Sequence, residues 1–505
     1  MVSILLVEER ESIRPGKKGV ETLEEDENRG RPEGIDRNID EISGKVERSI
    51  RSVENRFSRC PKCGLPTHSG QNGDSAYCAH CNTYYRISEK KGKKKLKKKD
   101  RSISTRSKII TAVVAVGIVM LIGSLGLAYF LKESDLGYID IHDVNGIRGL
   151  PEARNIPQRT MTPSELDEML REPLDPEERE YYNELEIFYR YLFIIPEDWN
   201  LVDIVENESS GAGIQGFYDP ETGEMYVISD RSSANRVNSI LSHEYTHALQ
   251  DQNFDLGSYM DGGSYDVDFA RLCVIEGDAM LTMNRWMEQN LNDYEELLVE
   301  LENIAQLLST LDFDSTYQSE ILSEMTYFPY EGGLSFVEEL YAEGGYESVN
   351  TLFTTKPPLS SEQVIHFHKY ESYEEPLEIN TSIEIDGFEL EFTSVVGEKL
   401  LSEIMKYNAG WLFPSTGLAT GWGGDSFQYY HDGEDFAVLL ATRWDSVADN
   451  NRFARDYTTM ISQISGFQEG GVHIIDGNRL YIESQGDATN IYYTSSADAL
   501  AEIMG

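Results

Sequence analysis

The chain has 505 residues, a net charge of −44 and five cysteines, a length that suits two or three domains. Residues 1–132 hold 26 Lys and Arg against 17 Asp and Glu (net +9), and residues 133–505 hold 18 against 71 (net −53). So acidic a back part, with only four lysines after residue 133, suggests a salty or acidic exterior, and with Cys273 as its single cysteine it has no internal disulfide.

In chain order, residues 1–58 read as a disordered stretch followed by an amphipathic helix. Residues 11–38 are rich in charge and Gly and poor in apolar positions. Ile42, Val46, Ile50, Val53 and Phe57 then recur at three- and four-residue steps. Two knuckles follow, Cys60-Pro-Lys-Cys63 and Cys78-Ala-His-Cys81, fourteen residues apart. Four thiolates at that spacing offer a tetrahedral set to one structural Zn2+, so residues 59–87 are expected to form a zinc ribbon. A disulfide pairing competes, but the cytoplasmic side assigned below disfavours it. His80 reads as solvated rather than as a ligand; ribbons bind proteins, nucleic acids or nothing, so a cytoplasmic protein partner is one expectation and the partner stays open.

Residues 88–108 are a basic linker with eleven Lys and Arg from Lys90 to Lys108. Directly after it, residues 109–131 carry no charge over 23 positions, long enough to span a bilayer core as one transmembrane helix. This stretch begins too late for a cleaved signal peptide. The positive-inside rule places residues 1–108 in the cytoplasm and 132–505 outside the cell. The lysines then contact anionic headgroups rather than nucleic acid.

Residues 132–159 read as a linker. Thr162-Pro-Ser-Glu165 is a capping box with Pro at the first helical position, and helical sequence is expected through Glu177–Leu192, stopping near Pro196. Gly216 to Val227 reads as a hairpin turning at Asp219-Pro-Glu-Thr-Gly223.

The run Ile240 to Gln250 contains His243-Glu244-x-x-His247, with no Pro or Gly and no other charge. Two histidines at i and i+4 leave one helix face together, so both imidazoles can reach one metal ion. Glu244 beside them is placed to take a proton from a metal-bound water. A buried helix with two satisfied histidines is the bland alternative. A third protein ligand is needed, and Glu276 lies in a largely apolar helical stretch, Phe269–Trp286, where an unpaired carboxylate is costly to bury. Two histidines, one carboxylate and an open position suit a catalytic zinc ion. Asp278 is the rival ligand; two residues on, it reads as a partner that orients a histidine. Cys273 precedes Glu276 by three positions and is able to approach the metal, though a free cysteine is usually just buried.

His243-Glu-Tyr-Thr-His-Ala-Leu-Gln-Asp-Gln252 with Glu276-Gly-Asp-Ala279 resembles the gluzincin metallopeptidases, in particular a membrane-anchored group of archaea and some bacteria. The likeness extends to Phe328-Pro-Tyr330, to Pro357–His366, to Gly421–Asp425 and to Thr442–Asp445, and so covers roughly residues 160–460. It implies a catalytic Zn2+ on His243, His247 and Glu276 with Glu244 as base, and a mainly helical zincin-like fold with a small sheet. One departure is that 28 residues separate His247 from Glu276, more than in the best-known gluzincins. In zinc peptidases a strand near the metal holds extended peptide by strand addition, and by resemblance the 216–227 hairpin is the candidate, a plain sheet edge being the alternative.

Beyond the metal helices, Asp293–Asp312 and Leu334–Tyr341 read as helices. His366, at the end of a helix-like Ser361–His366 stretch, is a candidate donor to the oxyanion on a scissile carbonyl; Tyr330 is a second, weaker one. From 421 the pattern changes to strands (Ser426–Tyr430, Phe436–Trp444, Arg479–Ser484, Thr489–Thr494), a helix to about Ser465 and a last short helix.

Together these readings give an α+β chain: a ribbon at 59–87, a single-pass span, a metallopeptidase domain at 160–420 acting on peptide or protein substrate, and a C-terminal α+β module at 421–505 packing on or gating the core. The rival reading is a non-catalytic membrane receptor or scaffold whose metal-binding ectodomain signals to the ribbon. Glu244 favours the enzyme, since a scaffold has no need of a base beside its ligands.

Overall fold

The computed structural model describes the strands Phe57–Arg59, Pro66–Ser69, Ser75–Cys78 and Thr83–Arg86, and residues 141–505 apart from 155, 209–210, 212–213, 221, 229–232, 311–318, 410–416 and 466. The amphipathic segment to residue 56, Cys60, Cys63, Cys81, the lysine run and the 109–131 span lie outside the described residues. Among the described residues no helix is long and apolar enough to cross a membrane.

Two compact units divide the chain, one within residues 12–133 and one built from residues 134–505. In the first, strands β1 (Phe57–Arg59), β2 (Pro66–Ser69), β3 (Ser75–Cys78) and β4 (Thr83–Arg86) form an antiparallel sheet in sequence order. In sequence, the first cysteine pair falls between β1 and β2, and Cys81 falls between β3 and β4.

The larger unit is α+β. It opens with α1 (Ile141–Arg148), in the stretch expected to be a linker. Val144 and Arg148, one turn apart, are both fully buried; Val144, Leu150 and Ala153 pack on Tyr245, Ala248 and Leu249. After β5 (Gln158–Met161), α2 (Pro163–Leu170) starts at the Thr162–Glu165 capping box with Pro163 at its first turn. A second capping box, Asp175 with Glu178, starts α3 (Pro176–Tyr191). Then come α4 (Leu201–Glu208) and the hairpin β6 (Gly216–Asp219) and β7 (Glu224–Ile228). β5 pairs parallel to β7 and β6 antiparallel to it, so the order β5-β7-β6 leaves β6 on an edge.

Helix α5 (Ala234–Phe254) follows, capped by Ser233, which accepts from the Arg236 N–H, and ended by Asp255 in a left-handed conformation. Its whole middle, Leu241 to Gln250, is buried. Then come α6 (Leu256–Met260), α7 (Tyr265–Asn290), α8 (Asp293–Thr310), α9 (Glu320–Gly344), α10 (Tyr346–Phe353), α11 (Ser361–Ile365) and α12 (Phe367–Ser372). The expected Leu334–Tyr341 helix is the second half of α9, which runs on through a buried Pro329. Helices α7 and α9 touch backbone to backbone at glycines. A Cβ on Gly277 would lie 2.3 Å from the Gly333 carbonyl, and one on Gly333 would lie 2.1 Å from the Cys273 carbonyl oxygen.

The C-terminal part contains β8 (Glu389–Ser394), α13 (Gly397–Ala409), β9 (Trp422–His431), β10 (Phe436–Trp444), α14 (Val447–Ser465), β11 (Phe467–Glu469), β12 (Val472–Ile475), β13 (Asn478–Gln485), β14 (Ala488–Thr494) and α15 (Ala497–Met504). Its strands form one seven-stranded antiparallel sheet, ordered β11-β12-β13-β14-β10-β9-β8. The sheet therefore takes in residues well before 421. One face shares a continuous core with the helices, running from Phe188 through Val274, Phe336 and Leu401 to Phe427, Trp444 and Tyr493. On the other face Leu439, Ala441 and Tyr492 lie under Ile379, Ile383 and Ile503.

Candidate metal centre

Helix α5 presents His243, Glu244 and His247, and the middle of α7 presents Glu276 against them. His243 Nε2 is 3.0 Å from His247 Nε2 and 3.1 Å from Glu276 Oε2, and His247 Nε2 is 3.6 Å from the same oxygen. A tetrahedral ion with ~2.0–2.1 Å bonds keeps its ligand atoms ~3.3 Å apart, so this triangle has the size of three corners of a zinc shell. The donor set also fits, because two imidazoles and one carboxylate leave a fourth position open. All three residues are buried, and they are the only histidine, cysteine or acidic side chains among the described residues whose ligand atoms converge in this way. Asp278 and Cys273 stay outside the triangle.

The electrostatics follow from burial without a lysine or arginine in the triangle. Burial alone would raise Glu276, but the two histidines hold its carboxyl well below the ordinary range. Burial alone would lower His247, but Glu276 beside it takes the imidazole up to about 9. These opposed shifts describe groups that neutralise one another, a task a divalent cation would take over.

Glu244 turns away from the triangle towards β6, where the Tyr218 N–H donates to its Oε2 at 3.0 Å. Burial pushes its carboxyl up, against the pull of the two histidines. The approach of β6 to α5 depends on Gly216, where a Cβ would lie 2.8 Å from Ile240 Cγ2 and 3.4 Å from Glu244 Cγ. Tyr330 closes another side: its ring lies 6.1 Å from the His243 ring at 24°. Burial and the Glu276 and Glu244 carboxylates raise its phenol well above the usual value.

A family model described as a domain of unknown function (DUF8575) matches residues 388–504. No curated protein and no solved structure matches the chain. The matched segment begins at the first strand of the seven-stranded sheet and leaves the metal triangle outside.

His366 is not brought to the triangle. Its Nε2 lies 3.0 Å from Glu398 Oε1. Glu398 adjoins Gly397, whose Cβ position abuts Asp266 in the first turn of α7. Asp266 and Glu276 are ten residues apart, which on a helix is ~15 Å. A lone histidine reveals nothing in sequence about which carboxylate will claim it.

Asp278 lies where a ligand-orienting group would be, but it acts through an intermediary. Gln250 Oε1 meets His247 Nδ1 at 2.9 Å, and Gln250 Nε2 donates to Asp278 Oδ2 at 2.9 Å. Sequence reasoning also misses the Tyr218 backbone and Arg148, which carry no motif. Gln250 had a signal, being one turn beyond His247 on the same helix.

Proposed function

We propose that the larger unit is a zinc-dependent peptidase. The observation that carries this reading is the convergence of His243, His247 and Glu276 on one point, with the Glu244 carboxylate beside it and free of the triangle. A bound zinc would polarise the scissile carbonyl and acidify a water molecule. Glu244, aimed by the Tyr218 N–H, accepts the proton of the attacking water and passes it to the leaving amine. The Tyr330 phenol, kept protonated, is a hydrogen-bond donor on the His243 side of the cleft.

Strand β6 supplies the substrate edge. Ile228 N–H bonds Gln215 C=O, which in this register turns the backbone of Gly216 and the Tyr218 carbonyl outwards, the Tyr218 N–H being taken by Glu244. An extended peptide laid along that edge would run past Glu244. The zincin-like fold, the cytoplasmic zinc ribbon on Cys60, Cys63, Cys78 and Cys81, and the single-pass anchor at 109–131 with the peptidase outside the cell belong to the same proposal. Support for them comes from the cysteine spacing, the four-stranded sheet around it and the lysine asymmetry.

The test is digestion of a diverse peptide library by the zinc-loaded chain and by Glu244→Gln. The amide cannot take the proton, so hydrolysis should fall by about 10²–10⁴-fold while zinc content and thermal unfolding stay at wild-type values. Folded, zinc-loaded wild type that cleaves nothing would make the scaffold the better reading.

A further inference from the structure

Helix α1 reaches the metal triangle through a chain of three side chains. The Arg148 guanidinium grips Asp278, with Nε 2.8 Å from Oδ1 and 2.9 Å from Oδ2. Asp278 Oδ2 accepts from Gln250 Nε2, which also donates to the Ile275 carbonyl at 3.0 Å. With its nitrogen between two acceptors, the Gln250 amide must turn its oxygen to His247 Nδ1. That nitrogen therefore carries the ring proton, and His247 Nε2 keeps its lone pair for the triangle.

A purely stabilising role for Arg148 fits poorly. Arg148 and Asp278 are both fully buried, yet Nη1 and Nη2 of the guanidinium have no hydrogen-bond acceptor. Beyond Asp278, what holds the group is the Tyr346 ring, 4.7 Å below it. Buried ion pairs of this kind are often no more stable than an apolar pair of the same volume. The two ligand histidines also differ. His243 Nδ1 is buried without a partner, so the relay to His247 is the fixed arm of the site.

We propose that Arg148 is a positioning residue for the metal. By clamping Asp278, and through it Gln250, it fixes the tautomer and ring orientation of His247, so metal affinity depends on the Arg148–Asp278 clamp that α1 supplies and not on the packing of α1 as such. The inference rests on the zinc reading above and adds to it a control by the segment that follows the 109–131 stretch.

Zinc affinity of the full chain, measured by competition with a chromophoric chelator, tests it. Arg148→Met and Gln250→Met should each weaken zinc by about 10–100-fold, and the visible spectrum of the cobalt-substituted protein should shift in both. Arg148→Lys should recover part of the affinity, because an ammonium can reach Asp278 at one point only. Val144→Ala, on the same face of α1, should lower thermal stability and leave zinc affinity at the wild-type value. Folded Arg148→Met with wild-type affinity would overturn the inference alone, and wild type that binds no zinc would overturn both the inference and the zinc reading. If Arg148→Met does not fold, the double variant Arg148→Met/Asp278→Leu removes both charges and should match the weakened affinity of Gln250→Met. Wild-type affinity in that double variant would equally reject the relay.

Discussion

Two clusters that pair histidine with buried carboxylates lie along helix α7, ~15 Å apart, and they are put together in opposite ways. Around Glu276, three ligand atoms point at one another and no lysine or arginine sits among them. Around Asp266, the charges are answered locally. Lys369 Nζ reaches Glu362 at 3.0 Å and Glu374 and Asp445 at 2.7 Å. Asp425 accepts from the Val396 and Gly397 N–H groups and the Trp422 indole, His366 pairs with Glu398, and Asp266 accepts from the Ser361 N–H. Both clusters set histidine beside buried carboxylates, so those residue types alone do not mark a site. Lone pairs left aimed at a common point do, whereas a cluster that neutralises itself is a joint, here between the helices and the C-terminal sheet.

Histidine substitution should break the comparison most sharply. His247→Ala should abolish zinc binding, from about one ion per chain to none, while His366→Ala should leave zinc content unchanged; metal analysis of the two purified variants decides it. Lys369→Met strands carboxylates around a lysine that is 8% exposed. It should cost about 3 kcal/mol in denaturant unfolding, at the lower end for a broken buried pair because Glu374 and Asp445 are partly solvated. Its zinc content should stay at wild type, and a loss of metal would show that the two clusters are coupled.

The smallest effect concerns pH. Burial pushes the Glu362 carboxyl up to about 7, against Lys369, with Glu398 and Asp445 adding to the rise. A carboxyl raised in the folded state contributes stability that is present below its unfolded value, ~4.3, and is lost as pH climbs through 7. Glu362→Gln should therefore gain about 2 kcal/mol at pH 8 and nothing at pH 4. An equal gain at both pH values would mean that packing, not ionisation, sets the difference.

The convergence of His243, His247 and Glu276 is legible in sequence because each part has a local cause. The histidines share a face by helix spacing, and Glu276 is conspicuous as a carboxylate among apolar neighbours. The capping box at Thr162 and the turn at Asp219–Gly223 are equally local, and both form. What sequence does not show has non-local causes. His366 finds its partner 32 residues on, and Arg148 finds Asp278 130 residues on. Ile141–Arg148 also contains Gly146 and few apolar residues, so nothing in it signals a buried helix. Pro329 suggests a break, yet α9 continues because Met325 and Pro329 are both enclosed by the core. Glu389-Leu-Glu-Phe-Thr-Ser394 is a mostly exposed edge strand whose pairing with β9 is what holds it.

The contact between Gly277 and Gly333 sets how far apart Glu276 and Tyr330 stand. Gly277 follows the ligand Glu276, and Gly333 lies one turn from Tyr330 on the facing helix. The separation of ligand and phenol is thus set by two hydrogen atoms in place of side chains. A helix is stiff over a single turn, so any atom added at that crossing is transmitted to Tyr330 as a shift of the whole wall. Alanine, serine and valine at position 333 would form a graded set of spacers, moving α9 from α7 in steps without altering any group of the proposed metal site.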